Sequence, residues 1–301
     1  MKLLDDRETL EMHYFPEEFD PRFYRNYYPD LQHLTDDQLK EHYCAYGFNE
    51  CRVPNQILNR RGFASLIPQT AAALEIGPFF SPILRGPNVR YFDVLSQENL
   101  LARAKSLGNT AAAPPHIDYV SSTGNLQIIA KSFDFVISSY CLEHQPDLIK
   151  HLRDVESILK PGGCYLVLVP DKRYCHDHFM GESTIAGVLD AYHAHRTSHS
   201  LRSVIEHVAL SAHNDHRRHW NGDHGDQFEN LDARIRTALQ AFERAEGGYV
   251  DVHSWYFTPV SSVQILAMLR RMDYIRLQCV RCYETRKYQN DFWLVLQKTA
   301  D

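Results

Sequence analysis

The sequence predicts an α/β fold built on a doubly wound, mostly parallel sheet. Strand-like and helix-like segments alternate between about residues 70 and 170, several of the strands are near-continuous apolar runs, and two closing strands follow a helix near the C-terminus. Runs of that kind belong to strands covered by helices on both faces, and the alternation suits right-handed βαβ crossovers. With 301 residues and 44% hydrophobic content, the chain can bury a large core and still carry an appendage.

Taken in order, residues 1–62 are aromatic-rich and charged and read as a small helical module, followed by one large domain over 63–301. In the module, Pro29 precedes a short helical pattern, and Thr35 with Gln38 forms a capping box ahead of Leu39, His42 and Tyr43. Two or three short helices are expected there, packed through Phe19, Phe23, Tyr24, Tyr28 and Leu31. Strands are predicted over 72–76, 89–94, 117–121, 133–139 and 163–169, with helices over 96–107 and 146–160. Residues 171–250 interrupt this rhythm as a His-rich helical insertion long enough to form a lid, with i, i+3, i+4 spacing in 183–195, 200–213 and 231–245. A helix over 259–272 and strands over 274–283 and 291–297, joined by a tight connection, complete the domain as an antiparallel edge pair.

Composition excludes several classes of partner. The net charge is −6 and no Lys/Arg cluster is dense enough to track phosphates, so nucleic acid is not expected. No apolar run approaches the roughly 18 residues of a membrane span, the opening MKLLDDRETLEMHYF lacks a signal-peptide core, and a cytoplasmic location is expected. The seven cysteines form no disulfide framework, which fits a reducing compartment. Cys279 and Cys282 make a CxxC, but regular strand alternation would put the two thiols on opposite faces, so they read as unconnected.

The stretch AAALEIGPFFSPILRG, residues 71–86, ends the first strand at Gly77 and continues with Pro78, Phe79 and Phe80 rather than further glycines. A dinucleotide needs a Gly-x-Gly-x-x-Gly helix start under its pyrophosphate, and none is present. Asp93, at the end of the second strand, is placed to accept hydrogen bonds from both hydroxyls of a ribose. The pattern therefore points to a nucleoside ligand without phosphates.

LEIGPFFSP, VRYFDV, FDFVISSYCLEHQPD and LKPGGCYLVLVPDKRY, in that order, resemble the successive motifs of class I S-adenosylmethionine-dependent methyltransferases. They are most similar to a bacterial branch with Glu-Ile-Gly-Pro in its first motif and Pro-Asp-Lys-Arg-Tyr after the fifth strand. The resemblance implies a Rossmann-like sheet with an antiparallel edge strand, S-adenosylmethionine as cofactor and S-adenosylhomocysteine as product. It places Glu75 and Gly77 beside the methionine part of the cofactor, Asp93 on the ribose, Ser139 and Tyr140 along the pocket, and Ser122 near the adenine, where relatives carry Asp followed by Ala. Pro78 and Phe79 on the same turn are cofactor-site candidates, Phe79 as part of a wall for the sulfonium, with core packing as its alternative.

For a hydroxyl acceptor the protein must also remove a proton. His144, Asp171 and His176 are the candidate catalytic residues, with His178 a further base; Asp171 would touch the acceptor hydroxyl. A structural histidine is the alternative for His144. Tyr140 stands where metal-using relatives have a glutamate, and HNDHRRHWNGDHGD over 213–226 lacks the spacing of a zinc hydrolase. No metal ligand is assigned, and a divalent metal is the less favoured reading. The polar lid with Trp220 and Trp255 suits a sugar, and the Tyr-Pro-Asp and Gly-x-x-Glu-x-Arg-x-Pro-Asn pattern of the N-terminal stretch is similar to a module that accompanies bacterial glycosyltransferases, with Cys51 in place of its usual Gly. The expected activity is O-methylation of a bacterial glycan or its precursor. Methylation of a small natural product, or a non-catalytic cofactor-binding partner of glycosyltransferases, are the alternatives.

Overall fold

The computed structural model describes residues 19–111 and 113–299. Its centre is a seven-stranded sheet: β1 (Ala73–Ile76), β2 (Val89–Asp93), β3 (Tyr119–Val120), β4 (Phe133–Ser139), β5 (Leu159–Pro170), β6 (Leu277–Tyr283) and β7 (Asp291–Lys298). The spatial order is β3-β2-β1-β4-β5-β7-β6. Only β7 runs antiparallel to its neighbours, and it enters between β5 and β6, so that the outermost strand on that side is β6. The predicted mostly parallel sheet with an antiparallel edge pair is the one observed.

Alternation along β5 shows how the two faces are covered. Tyr165, Val167 and Val169 face α5 (Leu148–Ile158), α6 (Ile185–His193) and α10 (Pro259–Arg271) through Leu152, Val155, Val188, Ile265 and Leu269. Leu166 and Leu168 face the other way, onto Ile57, Ile67, Trp293 and Phe63 of the short helix α3 (Arg60–Ala64). The domain boundary expected at 62 thus falls inside a helix that roofs the sheet. Helix α4 (Gln97–Ser106) starts on the Ser96 cap, and α5 on Asp147, whose side chain accepts from the Lys150 amide.

The N-terminal module contains α1 (Pro21–Tyr27) and α2 (Asp36–His42), the latter entered through the Thr35/Gln38 capping box. Its core is Phe19, Tyr24, Leu31, Leu39 and Tyr43; Phe23 lies outside it, stacked on Tyr27 with ring centroids 5.0 Å apart. Residues 1–18 of the expected module, including the stretch tested for a signal peptide, lie outside the described residues. The insertion divides in two. Helix α6 belongs to the main core, whereas α7 (Leu201–Ala209), the short α8 (His216–Trp220) and α9 (Leu231–Arg244) follow, and α7 and α9 share a small core of Val204, Ala209, Ala238 and Val252. Among the described residues no helix is long and apolar enough to cross a membrane.

Three strands differ from expectation. β5 begins at 159, ahead of the expected 163, because the preceding helix ends at Ile158. β3 shrinks to two residues, and β6 begins at 277 because the helix-terminating turn, with Asp273 at φ +58° and the Tyr274 amide bonded to Leu269 O, uses the preceding residues. A bulge between Cys279 and Arg281 inserts an extra residue, so Cys279 pairs with Leu296 and Cys282 with Leu294. The bulge therefore brings the two cysteines to the same face, not opposite ones, and both pack against the main core.

Candidate active site

The carboxyl ends of β1 and β2 form one half of the sheet's rim. Gly77 leaves β1 at φ +67°, donates its amide to Phe92 O at 2.8 Å, and has no room for a side chain, since a Cβ there would lie 2.5 Å from Cys141 Sγ. Pro78 and Phe79 follow; Phe79 has φ +48°, and its ring meets Phe80 and the Arg103 guanidinium. Glu75 is buried, and its two oxygens accept from the Ile83 and Leu84 amides at 2.8 Å each, which clasps the returning end of this loop. Burial pushes its carboxyl up to about 7. Its action on the crevice is thus through the loop carrying Pro78 and Phe79.

Asp93 is buried at the end of β2 and accepts from the Leu95 amide at 2.9 Å. Burial raises its pKa, and the amides of Leu95, Phe79 and Val94 work in the opposite direction. Ser122 is exposed on the turn after β3, between Ser121 and Thr123, whose hydroxyls lie 3.2 Å apart. The structure thus joins Gly77 and Asp93 across adjacent strands, with one buried carboxylate and one tight glycine turn. That donor set fits a nucleoside bearing a sulfonium and needs no phosphate cradle.

At the end of β4, Ser139 is half-buried and Tyr140 takes φ +54°. The Tyr140 hydroxyl is bonded by Arg60 and donates to Asn290 at 3.3 Å, with the Arg60 guanidinium 4.5 Å from the ring centroid. Tyr140 is therefore turned toward the N-terminal segment and the edge strands. Nearby, a cleft of about 720 Å³ opens between these parts, lined by Phe48, Arg52, Arg60, Arg61, Lys287 and Trp293 among others.

The other half of the rim gathers imidazoles and carboxylates from distant parts of the chain. Glu143 and His144 lie on the 3-10 turn after β4, and His176 and Asp177 follow β5. His207 comes from α7, and His253 from the strap leading into α10. That strap is pinned by Ser254 N donating to Glu143 O at 2.8 Å, Trp255 Nε1 to Gln145 O at 2.6 Å and His253 N to His207 Nδ1 at 3.1 Å. His253 Nδ1 lies 2.7 Å from Asp177 Oδ2, and its ring centroid is 4.7 Å from that of His176 and 4.5 Å from that of His144. His176 Nε2 is 3.4 Å from Asp177 Oδ1. Burial lowers the pKa of His176 and lowers that of His207 to about 3. His144 Nδ1 sits 3.2 Å from Asp251 Oδ1, and Arg103 reaches the same carboxylate at 2.6 Å. These two partners hold the Asp251 carboxyl well below the usual range.

Several expected contacts take other roles. Asp171 is fully buried, and its oxygens accept from the Arg173 amide (3.0 Å), from Arg173 Nε and Nη2 (2.9 and 2.6 Å) and from the Thr285 hydroxyl (2.6 Å). It is a strut at the β5 exit, not a group presented to an acceptor. Trp255 is buried in the core, and Trp220 stacks on Tyr174 at 3.7 Å while donating to Gln289 O, so both are used in packing rather than as a sugar platform. His178 bonds to Arg173 O and stacks on His224. Of the predicted catalytic residues, His144 and His176 come together. Glu143, the sequence neighbour that pairs with His144 in the resemblance, joins them, and Asp177, His207 and His253 complete the group without having been selected from sequence. Asp177 sits inside CHDH, a usable local signal, whereas His253 in DVHSW has none.

A family model described as a methyltransferase domain matches residues 31–244, more than half of the chain. No curated protein matches the chain at a significant level. Solved structures match at low identity. The mitomycin 7-O-methyltransferase MmcR is 13% identical with a TM-score of 0.39, over 90% of this chain and 60% of that one, so the chain spans less than two thirds of its length. The CcbJ methyltransferase from Streptomyces caelestis is 14% identical (TM-score 0.41; 86% and 96% of the two chains). The Burkholderia thailandensis 1,6-didemethyltoxoflavin-N1-methyltransferase, solved with 1,6-didemethyltoxoflavin and S-adenosylhomocysteine, is 12% identical (TM-score 0.42; 92% and 87%). The match to the family model shows that the chain belongs to the methyltransferase-domain family.

Proposed function

We propose that this methyltransferase modifies a hydroxyl oxygen of a hydroxyl-rich acceptor, a sugar of a bacterial glycan or glycan precursor. The observation that carries this reading is His176. Its imidazole is partly exposed, with the buried Nε2 turned to Asp177 Oδ1 at 3.4 Å, and it stands among His207, His253 and, across His253, His144.

S-adenosylmethionine, when bound, supplies a methyl group on a cationic sulfur that a nucleophilic oxygen displaces. Gly77 and Asp93 are the residues that would hold it, the first through close backbone and the second through the ribose hydroxyls, with Pro78, Phe79, Ser122 and Ser139 bordering the crevice. As the acceptor oxygen forms its new bond, the hydroxyl proton must leave, and the His176 imidazole receives it. Burial keeps that imidazole neutral near pH 7, and Asp177 stabilises the imidazolium once it forms. A rim of imidazoles and carboxylates suits sugar hydroxyls better than an apolar ring. The cleft beside the N-terminal segment has the volume of an ordinary ligand site, and in this reading the module is the surface offered to glycosyltransferases.

Labelled methyl transfer from S-adenosylmethionine to a bacterial surface polysaccharide and its lipid-linked precursors, with a panel of small phenols in parallel, tests the proposal. Label in the glycan is expected, and His176→Gln should lower kcat about 10²- to 10⁴-fold while cofactor affinity stays within about twofold. Label confined to the phenols, or unchanged turnover by the variant, contradicts it.

A further inference from the structure

Glu143 is completely buried, and neither of its carboxylate oxygens has a hydrogen-bond partner. Such a group is costly in either charge state, because the ionised form lacks a counter-charge in contact and the neutral form leaves its donor unused. What faces it is specific. His253 Nε2 lies 4.0 Å from Glu143 Oε1, and because Nδ1 of that ring is the atom bonded to Asp177, the neutral ring carries its proton on Nδ1 and turns the Nε2 lone pair to a ligand. His144 stands edge-on to His253, with its Nδ1 beside Asp251. One ligand-capable atom each from Glu143, His144 and His253 lie within 4.8 Å of one another.

We infer that Glu143, His144 and His253 form a binding site for a first-row divalent transition metal ion such as Zn²⁺ or Mn²⁺. Two imidazoles and one carboxylate make a mixed nitrogen and oxygen set that suits these ions better than an all-oxygen ion such as Mg²⁺. Asp177 and Asp251 play the outer role: Asp177 is bonded to the far ring nitrogen of His253, and the Asp251 carboxylate lies 3.2 Å from Nδ1 of His144. A cation here would give the orphaned Glu143 oxygens their missing partner. The adjoining set of His176, Asp177, His207 and His253 is equally compact, but there Asp177 Oδ2 already bonds His253 Nδ1 and His207 Nδ1 accepts the His253 amide, so that only His176 Nε2 and Asp177 Oδ1 lack a partner, whereas both oxygens of Glu143 do. Three protein ligands leave coordination positions for acceptor oxygens. That use rests on the hydroxyl-acceptor reading above, whereas metal binding itself does not.

The test is metal titration of the full chain after chelator treatment, by calorimetry with Zn²⁺ and with Mn²⁺ and by elemental analysis of the dialysed protein. S-adenosylmethionine binding serves as the control for folding. Wild type is expected to take up about one equivalent of at least one of these ions. Glu143→Gln, which preserves volume, and His144→Gln should bind at least about tenfold more weakly, Asp251→Asn about 10- to 100-fold more weakly, and His207→Gln like wild type. Metal uptake with no methyl transfer to any hydroxyl supports the site while removing the acceptor reading. Wild type that takes up neither ion, Glu143→Gln that binds as tightly as wild type, or loss of binding in His207→Gln but not in His144→Gln overturns the assignment.

Discussion

The β1–β2 half and the β4–β5 half of the rim handle buried charge in opposite ways. On the first, Glu75 and Asp93 are answered by backbone amides a few residues along the chain, those of Ile83, Leu84 and Leu95. On the second, Asp177 is answered by a histidine 76 residues away, and Glu143 faces His253 without a bond. Amides close in sequence fix a carboxylate as soon as the loop forms. Side chains brought from separate elements do so only when the helical insertion has packed, and they stay chemically versatile afterwards. The first arrangement suits a cofactor that does not vary, and the second an acceptor that differs between enzymes of one fold.

Asp171 departs from this contrast, because it lies on the second half yet is fully paired. Asp171→Asn removes the charge that holds Arg173 and weakens the bond from Thr285, and should lower unfolding stability by about 3 kcal/mol in urea denaturation. The folded variant should bind cofactor as wild type does. Unchanged stability together with lost turnover would return Asp171 to the acceptor.

Glu75 sharpens the other half and has a smaller, pH-dependent effect. Its folded pKa of about 7 lies above the ordinary value of 4.5, so between these limits the folded chain holds a proton that the unfolded chain has released. The associated stability is complete below about pH 4.5 and is lost as pH rises through 7, an effect of at most about 3 kcal/mol for a group this buried. Glu75→Gln should therefore show a shallower fall in stability from pH 5 to 7.5 than wild type, measured by denaturant titration at each pH. Equal slopes would show that the two amide bonds keep this carboxyl ionised.

Much of the fold was legible because its signals are local. β1, β2 and β5 are mostly apolar runs that end at Gly, Asp or Pro, β4 is a mostly apolar run, and α4, α5 and α10 each begin on a capping side chain, Ser96, Asp147 and Thr258. Gly77 and Asp93 were legible for the same reason, each standing at the end of its own strand. The bulge at Cys279 was not, since nothing in LQCVRCY marks where the extra residue is accommodated, and that choice decides which face the thiols share. His253 was illegible because its meaning lies in Asp177, Glu143 and His207, which reach it only through the packing of α7 and α9 and the pinned strap. The roles expected of Trp220, Trp255 and Asp171 changed for a related reason. Residue type indicated what each side chain is capable of, while Tyr174, the main core and Arg173 determined what remained available.

The most direct measurement is calorimetric titration of wild type and Asp93→Ala with S-adenosylmethionine, with NADH as the phosphate-bearing control. Wild type is expected to bind the sulfonium compound and ignore NADH, and the variant, still folded, to bind about a hundredfold more weakly through loss of charge-assisted bonds to the ribose. Equal binding by Asp93→Ala, or a preference for NADH, would contradict it.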